Sequence, residues 1–123
     1  MELKDIIEFA KCFTNESRLK LIKFLAEREL CVCELEEVTG QSQSNISQHL
    51  RNLYNAGLVK KRRDGQLIYY SLDTELFQAK MEDMAGLVNL SLEEIDGFEV
   101  EKDNFRNLDD NQRIKECKNC QGR

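Results

Sequence analysis

Between Gly40 and Gly57 the stretch GQSQSNISQHLRNLYNAG allows little except one short helix with two unlike faces. Ile46, Leu50 and Leu53 recur at steps of four and three, which sets three apolar side chains on one stripe of an α-helix. Ser42 stands where a hydroxyl can accept from a first-turn N–H. The other face carries Gln43, Ser44, Asn45, Ser47, Gln48 and Arg51, polar and without an acidic residue.

The flanking segments narrow the choice. Residues 32–38 read as a shorter helix that stops at Gly40, a residue suited to a helix C-terminus. Downstream, LVKKRRDGQLIYYSL reads as two strands about Asp64-Gly65, the dipeptide most typical of a tight hairpin. Two short helices joined at a glycine and followed by a basic hairpin make a winged helix-turn-helix, a mainly α fold with a small β-hairpin.

Three more helices complete the expectation. One covers 2–12, with Leu3, Ile6, Ile7 and Ala10 at helical spacing. A second starts at Thr14 or Asn15 and carries Leu19, Leu21, Ile22 and Leu25. A last one is capped by Asp73, with Leu76, Phe77, Met84, Leu87 and Val88 as its apolar face. From Ser91 the chain turns acidic and loses periodicity. Residues 1–90 are therefore read as one winged helix-turn-helix domain, and 91–123 as an acidic, flexible tail with a short helix at 92–95 and the Cys117/Cys120 pair.

At 123 residues the chain suits one domain. It has no apolar run near the roughly 18 residues of a membrane span and no secretory leader, which predicts a cytoplasmic protein without membrane contact. The net charge of −5 conceals a segregation: residues 40–70 hold five basic groups and one acid, while both flanks are acidic. Local field matters more to DNA than whole-chain charge.

That segregation coincides with the helix-turn-helix, and double-stranded DNA is the partner it predicts. Gln43, Ser44, Asn45, Ser47, Gln48 and Arg51 can reach base edges. Ser42 and the free N–H groups of the first turn can hold a phosphate. Lys60, Lys61, Arg62, Arg63 and Gln66 on the hairpin can follow the backbone or enter the minor groove. His49 either meets a phosphate or packs against the neighbouring helix. No nucleophile is paired with a base, no phosphate loop is present, and the one histidine lies in the reading helix, so nothing points to an enzyme.

Five cysteines, Cys12, Cys31, Cys33, Cys117 and Cys120, make an odd count that argues against a disulfide framework. Cys12 sits among Phe9 and Phe13 and reads as core. Cys31 and Cys33, in ELCVCEL, are small buried hydrophobes, a redox pair, or two ligands of one soft ion. Cys117 and Cys120, in ECKNCQGR, form a second half-site that can supply a third or fourth thiolate. With both Cys31 and Cys33 on a regular helix, their side chains diverge by about 200°. Shared ligation then requires the start of that helix to unwind.

ELCVCEL, then QSQSNISQHLRNLYNAGLV, then a hairpin ending in YYSL, resembles the arsenic-repressor (ArsR/SmtB) family of winged-helix metal sensors, over roughly residues 5–90. The resemblance implies a homodimer joined through its first and last helices, with recognition helices roughly 34 Å apart on a palindromic operator. It implies repression of a metal-resistance operon, relieved when As(III) or Sb(III) binds Cys31 and Cys33. Cd, Pb or Zn on four thiolates, or thiol oxidation or persulfidation, are the alternatives. Arsenic-responsive members similar to this segment often carry a third cysteine where this chain has Glu36, a hard ligand.

Overall fold

The computed structural model describes residues 2–120, the side chain of Cys120 excepted. Helices α1 (Leu3–Lys11) and α2 (Glu16–Glu27) meet at a corner where the Asn15 side chain accepts from the Arg18 N–H at 3.2 Å. A two-residue strand, β1 (Leu30–Cys31), runs directly into α3 (Val32–Thr39). Gly40 closes α3 with φ 72°, and Ser42 caps α4 (Gln43–Asn55), its Oγ accepting from the Asn45 N–H at 3.2 Å. The hairpin β2 (Val59–Asp64) and β3 (Leu67–Leu72) turns one residue later than expected, at Gly65-Gln66, because Asp64 still pairs with Leu67 and Gly65 takes the positive φ of 63°; Asp73 caps α5 (Thr74–Asn89).

The sequence predicts a two-stranded hairpin. The structure adds β1 to its edge in the order β1-β3-β2, with Leu30 opposite Tyr70 and Cys31 opposite Tyr69. A strand of two residues is too short to show a period, so only its pairing partner reveals it.

The core lies where α2, α3, α4 and the base of the hairpin converge. Leu21, Leu35, Ile46, Leu53 and Leu58 have no exposed surface. Cys12 joins this core as expected, its thiol donating to the Glu8 carbonyl at 3.8 Å. Phe9, Phe13 and Phe77 stack edge to face at 4.9 to 5.9 Å and fasten α1 to α5. Phe77 and Met84 thus use one side of α5 on the core, while Met81, Leu87 and Val88 remain exposed, Val88 at 84%.

Gly57 sets the angle at which the hairpin leaves α4. Its φ is 78°, and a Cβ there would lie 3.0 Å from Leu76 Cδ2 on α5. Gly57→Ala is expected to cost about 1–3 kcal/mol, from left-handed strain together with the close contact. A lower urea midpoint with unchanged slope is the signature; an unchanged midpoint would contradict this account of the turn.

Beyond α5 the chain is more ordered in secondary structure than its composition suggests. A 3₁₀ turn at Leu92–Glu94 matches the expected short helix, and α6 (Glu99–Arg106) and α7 (Gln112–Cys120) follow it. Asn111 caps α7, accepting from the Ile114 N–H at 3.1 Å. Arg106 on α6 pairs with Glu93 and Asp103. Ile95 is 2% exposed, and the Leu3 N–H donates to the Asp96 carbonyl at 3.2 Å, which seats this segment on α1. Gly97, at φ 109°, lies against Leu3, where a Cβ would come within 2.9 Å.

Candidate nucleic-acid interface and thiol pair

The exposed face of α4 is held ready by its own side chains. Gln43 Nε2 donates to Ser47 Oγ at 2.8 Å, Gln48 Nε2 donates to Asn52 Oδ1 at 3.4 Å, and Arg51 Nη1 donates to Gln48 Oε1 at 2.9 Å. These are neighbours three or four apart on one helix surface. Bonds between exposed polar groups exchange readily for bonds to an incoming partner, because water already competes for them. Ser44 and Asn45 stand exposed in the first turn, beside the Ser42 cap.

The four basic residues of the hairpin do not share one environment. Arg62 is clamped by Glu29: Nε donates to both carboxylate oxygens at 3.0 Å, and Nη2 donates to Oε1 at 2.7 Å. Its guanidinium also lies 4.9 Å from the Tyr69 ring centre. The pairing holds the Glu29 carboxyl below the usual carboxylate range. Lys61 lies over Tyr54 of α4, its Nζ 3.9 Å from the ring centre, and so fastens the wing to the helix. Lys60 and Arg63 are exposed and have no ion-pair or ring partner among the described residues. Gln66, in the turn itself, borders a different feature, the cleft beside the thiols.

His49 is half-buried and receives a hydrogen bond from Arg18 of α2, Nε to Nδ1, at 3.4 Å. Of the two roles open to it in the sequence, contact with the neighbouring helix is thus present in the free protein.

The thiol pair differs from its expected form. Cys31 is not a helical residue. It ends β1 and serves as the residue before α3, with extended backbone (φ −92°, ψ 170°), whereas Cys33 lies in the first turn of α3. The divergence argued for two cysteines on one regular helix therefore does not apply: α3 starts at Val32 as expected, and Cys31, opposite Tyr69 of β3, stands just ahead of it. What separates the thiols instead is burial: Cys31 is 6% exposed and Cys33 is exposed.

The Cys31 N–H donates to the Glu34 carboxylate at 3.0 Å. That bond, and then the Cys31 thiol, hold the Glu34 carboxyl below its ordinary range. Cys31 and Cys33 line a shallow cleft of about 220 Å³ with Val32, Gln66, Leu67, Ile68 and Tyr70. The cleft thus touches both the start of α3 and the far strand of the hairpin. Among the described residues no three His, Cys, Asp or Glu side chains come together as a ligand set. Glu36 does not complete one with the two cysteines, and Cys117, exposed on α7, is not brought to them. The Cys120 side chain lies outside the described residues.

A helix, a tight turn, a second helix with an open polar face and a basic hairpin beside it define a winged helix-turn-helix. Residues 15–61, from the cap of α2 into β2, match the family of bacterial regulatory proteins called arsR. A cadmium resistance transcriptional regulatory protein, a CadC homolog from Staphylococcus aureus, is 40% identical over 72 residues, 58% of this chain and 60% of its own length. The arsenic resistance transcriptional regulator ArsR1 of Pseudomonas putida is 39% identical over 84 residues, 68% of this chain and 66% of its own length. The chain thus spans about two thirds or less of these relatives. The solved structure of HlyU from Vibrio cholerae superposes with a TM-score of 0.56 at 31% identity, covering 72% of this chain and 95% of that one. The chain belongs to the arsR family of bacterial regulatory proteins. No helix among the described residues is long and apolar enough to cross a membrane.

Proposed function

We propose that this protein is a metal- or metalloid-responsive transcriptional repressor, which binds palindromic operator DNA as a homodimer and leaves it when As(III) or Sb(III) binds Cys31 and Cys33. Derepression of an arsenic-resistance operon is the result. One observation carries the reading: the two thiols lie at the junction of β1 and α3, in one cleft with the hairpin, beside the helix that reads DNA. Named relatives that govern arsenic and cadmium resistance support it.

The DNA contacts are assigned to Ser42, Gln43, Ser44, Asn45, Ser47, Gln48, His49 and Arg51 on α4, and to Lys60, Lys61, Arg63 and Gln66 on the wing. Arg62 acts at one remove, through Glu29. Dimerisation is assigned to the uncovered apolar side of α5 with Ile7 of α1, which is 47% exposed. An apolar helix face of this kind favours burial against a second copy.

Two thiols suit a soft ion and are one donor short of a three-thiolate site. The remaining ligand is assigned to Cys117 or Cys120, which must travel to the cleft. To bring the buried Cys31 and the exposed Cys33 onto one ion, either the first turn of α3 or the β1–β3 pairing has to give way. Either movement disturbs the elements that aim α4 and the wing, a local event with a distant readout.

The test uses reduced protein and a duplex selected from a random pool. Arsenite or antimonite is expected to lower its affinity by about 5- to 150-fold, the usual span of allosteric coupling. Release by cadmium, lead or zinc alone would move the assignment to a four-thiolate site, the reading that the cadmium-resistance relative supports. Release only by oxidant or persulfide would make the pair a redox sensor.

A further inference from the structure

Arg18 stands in the first turn of α2, yet its guanidinium reaches two other helices. Nη1 donates to the Lys11 carbonyl at the end of α1 at 2.7 Å, and Nε donates to Nδ1 of His49 on α4 at 3.4 Å. A guanidinium has donors and nothing to accept with. The imidazole nitrogen that faces it is therefore the one with the lone pair. In neutral imidazole the single ring proton then resides on Nε2, whereas an imidazolium would present a second cation and a clashing N–H. Burial, and after it the Arg18 charge, hold the His49 pKa below the ordinary histidine value. Nε2 itself makes no hydrogen bond within the described residues.

We propose that Arg18 is a positioning residue for DNA binding: it fixes His49 as the neutral Nε2–H tautomer, so that α4 offers an uncharged, directed donor to a phosphate oxygen of the duplex. This rests on the assignment of α4 as the reading helix. An uncharged donor adds hydrogen bonding at the backbone without adding to counterion release. It therefore strengthens binding on every sequence alike and leaves the salt dependence alone. Arg18 also bonds the end of α1, so the same side chain fixes α4 relative to the α1–α2 corner.

The chain contains a single histidine, so its imidazole resonances belong to one residue. In nitrogen-15 NMR of the full-length wild type at neutral pH, Nδ1 is expected to be bare and Nε2 protonated. The Nδ1–H form, an even mixture, or the imidazolium would overturn the proposal without any variant being made. In Arg18→Leu the tautomer preference is expected to relax and the titration to rise toward the ordinary histidine value. Arg18→Lys, which keeps a donor and the charge, is expected to restore both in part.

DNA affinity supplies the second arm. His49→Gln sets an amide nitrogen near the Nε2 position and is expected to bind within about threefold of wild type, with an unchanged salt slope. His49→Asn, whose amide mimics Nδ1, and His49→Leu are both expected to lose about tenfold or more. Equal loss in the Gln and Asn variants would overturn the proposal, as would a salt slope that falls with His49→Gln. The correct tautomer in a chain that binds no duplex would instead sink the DNA assignment and this inference with it. The wrong tautomer in a chain that binds well would sink this inference alone.

Discussion

Replacing Lys60 and Arg63 together with glutamine is expected to weaken operator binding by roughly ten- to a hundredfold near physiological salt, since each wing then lacks two charge-assisted bonds to phosphate. Arg62→Gln, in the same basic run, is expected to cost no more than about threefold. The difference follows from what each side chain already touches. Arg62 is held by three hydrogen bonds to Glu29 and rests on Tyr69, and would have to abandon both to reach a phosphate. Lys60 and Arg63 have no such engagement among the described residues and can neutralise phosphates at little cost. Counterion release gives the sharper measurement. The slope of log affinity against log salt is expected to fall by about 0.9 for each phosphate that is no longer neutralised. It should stay near the wild-type value in Arg62→Gln. Fluorescence anisotropy across a salt series measures both. A slope that drops equally for all three residues would mean that Arg62 leaves Glu29 on binding, and that the clamp is no more than a resting arrangement.

That contrast shows where sequence reading reaches and where it stops. Features with a local cause were legible. Ser42 and Asp73 cap the helices that the sequence assigns to them, Gly40 ends α3, the hairpin turns within one residue of Asp64-Gly65, and the stripe Ile46, Leu50, Leu53 is buried. Each depends on residues within a turn or two of one another, so the pattern carries the physics. Features that need a partner far along the chain were not. In KKRR the four cations look alike, and only Glu29, thirty-three residues away, singles out Arg62. Arg18 and His49 lie thirty-one apart. Strand β1 exists because β3 is there to pair with it, and this pairing sets Cys31 in extended backbone just ahead of the helix that begins at residue 32. In the tail, Asn111 before Gln112 was a cap in plain view, but acidic composition masked it.

The position of Cys31 gives the second large effect an asymmetry that can be tested. Cys33→Ser is expected to leave DNA affinity within about twofold and to reduce arsenite-driven release from the 5- to 150-fold range to essentially none. Cys33 is exposed, so exchanging sulfur for oxygen there disturbs no core, while a hydroxyl is a poor ligand for a soft ion. Cys31→Ser is expected to abolish release equally, although its side chain is buried. The stability change there is a balance of opposed terms. Serine is the better residue to precede a helix, by roughly 0.5–1 kcal/mol over non-capping residues, and here it can accept from the Glu34 N–H. Burial of a hydroxyl in place of a thiol opposes this by a similar amount, since polar groups resist burial unless bonded. Cys31→Ser should therefore unfold within about 1 kcal/mol of wild type, and its silence toward arsenite cannot be ascribed to a damaged fold. Full release retained in both variants would remove the pair from the mechanism. The tail is read out on the same assay. If Cys117→Ser and Cys120→Ser, made together, shift the arsenite midpoint at least tenfold, a tail thiol completes the site. If the midpoint stays put, the third donor is not theirs, and the ligand set rests on Cys31 and Cys33 with a donor from solvent or a second copy.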